Sequence, residues 1–302
     1  MISSGVKGQA WEWGAAAEQT YNAEGLKVAT DAEGNLYGVG TYEGQLIISG
    51  DTLHSVDSTL DFIITKYDRF GNLIWVKSAG GNSGDAANDI AIDLNGDIII
   101  AGFAYSHIFY FGSDSLYILT NQDFHTVIMK LDSGGNEIWM RTSEGANKDK
   151  PESIEIDRDG NIYVAGIYSS PVLNFDADSV YNMGPYYSFE GYLIKLNSSG
   201  ETIWLKSING TDTEVPEAIA LDNLGNLYMT GTFHSDTCYF NGIPLTHLIP
   251  FTNNSDLFIA RYDTSGNIIW IKPFSCNSQI GAPCILANEE GSIYFGGYFS
   301  AG

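Results

Sequence analysis

Five tryptophans, Trp13, Trp75, Trp139, Trp204 and Trp270, recur at spacings of 62, 64, 65 and 66 residues. A chain that repeats at such intervals must build one unit several times and bury each unit against the next. The period exceeds that of a solenoid unit and the repeats are rich in β-branched and aromatic residues. Both features point to propeller blades, small sheets whose faces are covered only by neighbouring blades.

Two further markers recur in step with the tryptophans. One is Asp31-Ala32-Glu33-Gly34-Asn35, with equivalents ending in Gly96, Gly160 and Gly225 plus one residue, and a degraded copy at Asn288-Glu289-Glu290-Gly291-Ser292. The other precedes each tryptophan: Asp68-x-x-Gly71-Asn72, Asp132-x-x-Gly135-Asn136, Asn197-x-x-Gly200-Glu201 and Asp263-x-x-Gly266-Asn267. An Asp that caps its own turn, followed three residues later by a Gly able to take positive φ, specifies a tight hairpin with a bulge. Short apolar runs such as Ile90-Ala91-Ile92 and Ile98-Ile99-Ile100 flank these turns, as strands do. The expected fold is all-β, a β-propeller of four-stranded blades over residues 22–80, 86–144, 150–209 and 215–274. A partial blade at 281–302 and a lone outer strand at 9–17 complete one domain spanning 1–302. This count describes an open arc or a segment of a longer polypeptide with further blades or domains; the alternative, a five-bladed ring closed by the N-terminal outer strand, would still lack a third strand. Trp75, Trp139, Trp204 and Trp270, with Gly34, Gly96, Gly160 and Gly225, are structural repeat residues, the tryptophans acting as wedges between blades.

Both Gly turns of a repeat fall on one face of the disc, so the connectors between strands two and three lie on the other. These connectors, roughly 43–60, 105–122, 169–189 and 234–255, are long for hairpin loops and vary in content, as loops that carry function do. A faint pattern, Phe111-Gly112-Ser113-Asp114, Phe175-Asp176-Ala177-Asp178 and Phe240-Asn241-Gly242-Ile243, predicts a small extra hairpin in each. Candidate ligand-binding residues on this face are Tyr105, Tyr110, Tyr117, Tyr181, Tyr186, Tyr187 and Phe251.

Lys66, Lys130, Lys195 and Arg261 on the third strands are followed eleven residues later by Lys77, Arg141, Lys206 and Lys272 on the outer strands. The outer set is expected to blunt a free sheet edge, and the inner set to face Asp61, Asp123, Glu190 and Asp256. A formal charge of −23 repels nucleic acid and anionic membrane surfaces. The sequence has no apolar run long enough to span a bilayer, and Met1–Gln9 lacks the apolar core of a signal peptide.

No catalytic motif is present. The histidines occupy unrelated positions, and His125 is expected to take the strand place of Ile63, Tyr192 and Phe258. Cys238, Cys276 and Cys284 are an odd number and lack zinc spacing. Asp157-x-Asp159-Gly160 has the look of a calcium loop, but it lacks the later Glu and fits the Asp-Gly turn of its sister repeats. No catalytic, cofactor-binding or metal residue is therefore assigned, with calcium the minor alternative.

The run Ile90-Ala91-Ile92-Asp93-x-x-Gly96-Asp97-Ile98-x-Ile100-Ala101-Gly102, then Ile128-x-Lys130-Leu131-Asp132-x-x-Gly135-Asn136-x-Ile138-Trp139, resembles the SBBP-type bacterial β-propeller repeat. The resemblance covers nearly the whole chain and implies a secreted or cell-surface bacterial protein without transferred catalytic residues. The Asp-x-x-Gly-x-x-x-Trp element is also similar to the tryptophan-docking repeat of quinoprotein propellers, but the cofactor-binding cysteine pair and acid cluster are missing. The expected function is a noncatalytic scaffold presenting variable loops to a protein or glycan, as in adhesion. Alternatives are a polysaccharide hydrolase or lyase using loop-face carboxylates, and a passive spacer in a larger secreted protein.

Overall fold

The computed structural model describes residues 17–19, 21–118, 123–185, 188–248, 255–275, 280–288 and 291–299. Trp13, Tyr186, Tyr187, Phe251 and Cys276 lie outside the described residues. After a short strand β1 (Ala17–Gln19), the first repeat supplies β2 (Ala23–Thr30), β3 (Leu36–Glu43), β4 (Gln45–Ile48), β5 (Asp51–His54), β6 (Leu60–Tyr67) and β7 (Leu73–Gly80). The second supplies β8 (Asp85–Ile92), β9 (Ile98–Ala104), β10 (Ile108–Phe111), β11 (Asp114–Tyr117), β12 (His125–Leu131) and β13 (Glu137–Thr142). The third has β14 (Asp149–Ile156), β15 (Ile162–Tyr168), β16 (Val172–Phe175), β17 (Asp178–Tyr181), β18 (Glu190–Leu196) and β19 (Thr202–Asn209). The fourth has β20 (Glu214–Leu221), β21 (Leu227–Phe233), β22 (Thr237–Phe240), β23 (Ile243–Thr246), β24 (Asp256–Tyr262) and β25 (Ile268–Phe274). The strands β26 (Ile280–Ala287) and β27 (Ile293–Phe299) form the partial fifth unit. All sheet pairing is antiparallel, and the first, second, fifth and sixth strands of each complete repeat make the expected four-stranded blade, of which the fifth is the blade's third strand and the sixth its outer strand.

The Gly turns form as their chemistry dictates. Asp31, Asp93, Asp157 and Asp222 each accept the amides two and four residues on through Oδ1, while Gly34, Gly96, Gly160 and Gly225 take φ near +80°. Positive φ costs glycine nothing and any other residue a Cβ clash. Asp157 also receives the Asn161 side chain and the Tyr163 hydroxyl, so its carboxylate is occupied by the turn.

The core lies between blades. Ile98, Ile100, Val127 and Met129 of the second blade pack on Tyr37, Val39, Phe62 and Ile64 of the first, and the next two seams repeat the arrangement. The tryptophan is a wedge of the expected kind. Its ring reaches the second Gly turn of the following blade: a Cβ on Gly200 would stand 3.0 Å from Trp139, and one on Gly266 3.0 Å from Trp204. The indole Nε1 of Trp139 donates to the Ser198 carbonyl at 3.2 Å.

The extra hairpin also forms, but it joins a neighbour's sheet. Strand β10 pairs with β7 of the preceding blade, and β22 with β19, giving six-stranded sheets in the order β11-β10-β7-β6-β3-β2 and β14-β15-β18-β19-β22-β23. The equivalent hairpins pair β4 with β1 and bridge Asn174 to Glu144. One hairpin face plugs the seam: Phe109, Leu173, Cys238 and Phe240 are fully buried, and Phe109 meets Phe62 edge-on at 5.0 Å. Each such aromatic contributes about 1.5–3 kcal/mol of burial.

This docking corrects the role assigned to Lys77 and Lys206, whereas β13 and β25, which carry Arg141 and Lys272, remain at the ends of their sheets. Strands β7 and β19 are not free edges, and the cations stack on aromatic rings: Arg141 on Trp139 at 5.9 Å, Lys206 on Trp204 at 5.9 Å, and Lys77 on Phe111 of the incoming hairpin at 5.8 Å. The third-strand cations point to the Gly-turn face, away from the strand-start acids. Lys130 lies 3.0 Å from Asp93 and 3.1 Å from Asp97, Lys195 is 3.4 Å from Asp157, and Arg261 is 4.0 Å from Asp222.

Candidate interaction surface

Three regions gather polar or aromatic groups: the seams at the connector face, the axial channel, and the outward faces of the edge hairpins. At each of the three seams between complete blades a carboxyl group opens the first strand of the following blade and receives a serine hydroxyl. Ser106 Oγ donates to Asp85 at 2.7 Å, Ser170 Oγ to Asp149 at 2.8 Å and Ser235 Oγ to Glu214 at 2.5 Å. A glycine six residues after Trp75, Trp139 and Trp204, namely Gly81, Gly145 and Gly210, leaves room for them, since a Cβ there would collide with the serine side chain.

The third strand of the preceding blade adds Asp61, His125 or Glu190 to these clusters. His125 thus occupies the place of Asp61, Glu190 and Asp256, and Val127 the place of Ile63, Tyr192 and Phe258, two residues from the expected register. Counting back five residues from the third-strand cation gives the observed set, because that strand is anchored by its downstream turn while the connector before it varies. His125 Nδ1 lies 3.1 Å from Asp149. His125, Asp149 and Ser170 have the composition of a hydrolytic triad but not its arrangement. Ser170 donates to Asp149 rather than approaching the imidazole, and the three residues are 1%, 0% and 0% exposed, so no substrate reaches them.

At the other two seams two carboxyl groups meet. Burial, and then the neighbouring Glu190, push Glu214 up to about 9. Glu190 accepts amides from Gly184 at 3.0 Å and Gly210 at 2.9 Å, whereas Glu214 Oε2 is buried without a donor. The shared proton therefore belongs on Glu214. Asp61 and Asp85 are pushed up to about 7 and about 6, each mainly by burial. These groups hold the seams together and are closed to solvent.

The channel is lined by the inner strands β2, β8, β14, β20 and β26 around a cavity of about 400 Å³. Asp89, on the β8 bulge, accepts the Ile154 amide of the next blade at 3.0 Å, and Glu217 accepts the Ala282 amide. Glu155 is pushed up to about 7 by burial and then by Asp89. Sequence reasoning did not single out these carboxylates, whose signal is an acid beside the strand-one bulge. Among the described residues no three His, Cys, Asp or Glu side chains gather as a metal site, and no helix is long and apolar enough to cross a membrane.

The hairpins present their second face to solvent. The register Ile108↔Tyr117 and Tyr110↔Ser115 puts Tyr110 and Tyr117 diagonally across the two strands on one outward face, 44% and 67% exposed. Tyr181 sits on the outward face of the next hairpin, opposite Val172. Tyr239 holds the place of Tyr110 on β22, and its position just before Phe240-Asn241-Gly242 is the signal that could have found it. Tyr105 is elsewhere, half-buried with Phe103 and Phe124 in a triplet of rings 5.1–6.1 Å apart. The structure thus brings Tyr110 and Tyr117 together, and distributes Tyr181 and Tyr239 along the outer edges of other blades.

No family model matches the chain. The chain is similar to a WD-repeat protein. The match, to an uncharacterised WD repeat-containing protein of Acanthamoeba polyphaga mimivirus, is 24% identical over 331 aligned positions and covers 90% of this chain. It covers 24% of the relative, so the chain spans about a quarter of that protein's length. With the stacked antiparallel sheets, this likeness supports a β-propeller repeat protein.

Proposed function

We propose that the chain is a noncatalytic propeller scaffold that binds a protein or glycan through its outward hairpin faces, in a secreted or cell-surface setting. The observation that carries this reading is the two-faced hairpin: one side is locked into a neighbouring sheet, and the other exposes Tyr110 and Tyr117 on a rigid support. Tyrosines on such a support give large amphipathic contact area at low entropic cost. The resemblance to the SBBP-type repeat supports a bacterial cell-surface setting, and the likeness to a WD repeat-containing protein supports a scaffold.

The double substitution Tyr110→Ala/Tyr117→Ala is expected to weaken binding to source-cell surfaces or to an arrayed glycan at least about tenfold, while Tm moves by no more than about 2 °C. Equilibrium binding and a thermal melt on the same sample check both. Unchanged binding removes these tyrosines from the contact, and an absence of binding in the parent protein favours a spacer.

A further inference from the structure

The axial cavity continues onto the Gly-turn face. Glu155 and Ile156, which line it, also form part of a second cavity of about 610 Å³ between the inner turns of the third and fourth blades, both of them complete. Residues 221–225 of the fourth blade face them, and Lys195 and Thr264 complete the lining. A volume of this order suits a small ligand. The repeats serve as controls on one another here. The register Glu155↔Tyr163 matches Ala29↔Tyr37, Ala91↔Ile99 and Ala220↔Tyr228, so the blade is built without a carboxyl at this place. Among the described residues no side chain donates to Glu155, whose carboxyl meets the Ile156 amide and is pushed up to about 7 by burial and then by Asp89. Lys195 also departs from its sisters. Lys66 donates to the Ser133 carbonyl at 2.9 Å and Lys130 to Asp93 at 3.0 Å. The Lys195 ammonium, on a side chain 8% exposed, comes no closer than 3.4 Å to Asp157 and to the Thr264 carbonyl. A charge-assisted bond normally closes to about 2.7–2.9 Å, so this buried cation is weakly held. No ion pair joins it to Glu155, although both line one cavity.

We propose that this cavity binds a zwitterion of the amino-acid class, a free α-amino acid or a dipeptide with apolar side chains, whose ammonium meets Glu155 and whose carboxylate meets Lys195. Two under-satisfied groups of opposite sign in one enclosed space call for a ligand that carries both charges, because an unpaired charge in such a place is costly. A simple cation would leave Lys195 weakly held, and a simple anion would do the same to Glu155. Asp157 and Asp222, the other nearby carboxylates, are already occupied by their turn amides and by Asn161 and Asn226. Ile156, Leu221 and Leu224 add the apolar surface against which the ligand's side chain lies. The site is on the opposite face from the connectors and does not depend on the hairpin tyrosines.

The probes are leucine and leucyl-leucine, titrated calorimetrically into the whole protein. Saturable binding of at least one of them is expected. The N-acetyl and C-terminal amide forms of the probe that binds each lack one charge, and each should bind at least about tenfold more weakly. Glu155→Ala installs the residue of the sister repeats and should weaken binding by a similar factor without lowering Tm. Glu155→Gln, which keeps the side chain's shape, should do the same. The Tyr110→Ala/Tyr117→Ala protein should bind the probe normally, which separates this site from the hairpin faces. Four results would overturn the proposal: no saturable binding of either probe up to about 10 mM, equal affinity for the acetylated or amidated form, undiminished binding in both Glu155 variants, or a loss of binding that both variants show only together with a lowered Tm.

Discussion

Replacing Trp139 by alanine lowers stability by about 3–5 kcal/mol, the cost of emptying a large buried aromatic site. The ring is 8% exposed, lies against Gly200, donates to Ser198 and carries Arg141 over its face. The deletion thus opens the seam between the second and third blades rather than a void within one sheet. The complementary change, Gly200→Ala, should cost about 1–3 kcal/mol, because φ is +82° and the new Cβ meets the indole at 3.0 Å. Denaturant unfolding of both variants checks the pair, and a Trp139→Ala cost below about 1 kcal/mol would show that the indole does not hold the seam.

Stability should fall as pH rises from about 5 to about 9. Glu214, Asp61 and Asp85 have folded pKa values raised to about 9, 7 and 6. Between their unfolded values near 4 and these folded values, the native state binds more protons than the unfolded one. Stability then declines with increasing pH through that window. Burial opposes but does not prevent the lowering of Asp157 and Asp222, which their Asn161 and Asn226 partners hold down. Their contribution is present above the unfolded pKa and lost as pH falls through the folded value. The maximum therefore lies in mildly acid solution. Tm is therefore expected to be lower at pH 9 than at pH 5. Glu214→Gln keeps an N–H donor toward Glu190 without a titrating proton and should remove about half of that slope. A melt series in which Glu214→Gln has the parent slope would place the proton elsewhere.

The repeat was legible because its signals are local. An Asp three residues before a Gly fixes a turn whether or not the neighbours are known, and a tryptophan at constant distance from that turn fixes the outer strand. The faint pattern around Phe111, Phe175 and Phe240 was likewise enough to show a hairpin. Which sheet that hairpin joins was not legible. Pairing of β10 with β7 depends on where two blades stand, and nothing in Ile108–Phe111 specifies its partner. The seam clusters failed to emerge for a related reason: Asp61, His125 and Glu190 share a place but not a side-chain type. Matching them by charge selected Asp123, whereas the fixed distance to Lys130 selects His125. The candidate surface was half legible, since the sequence marks Tyr110 and Tyr117 as connector aromatics but only the register Ile108↔Tyr117 shows that they share a face.

The placement of those tyrosines depends on the β10-β11 hairpin, like its β22-β23 counterpart, being an integral part of its neighbour's sheet. Native-state hydrogen exchange of the amides in β10 and β22, compared with those of β7 and β19, measures this directly. Exchange of each hairpin strand together with the outer strand it pairs with, as one cooperative unit slowed by orders of magnitude relative to free peptide, is the expected result. Exchange of β10 and β22 at the rate of an open loop, while β7 and β19 stay protected, would contradict it and return the connectors to mobile loops.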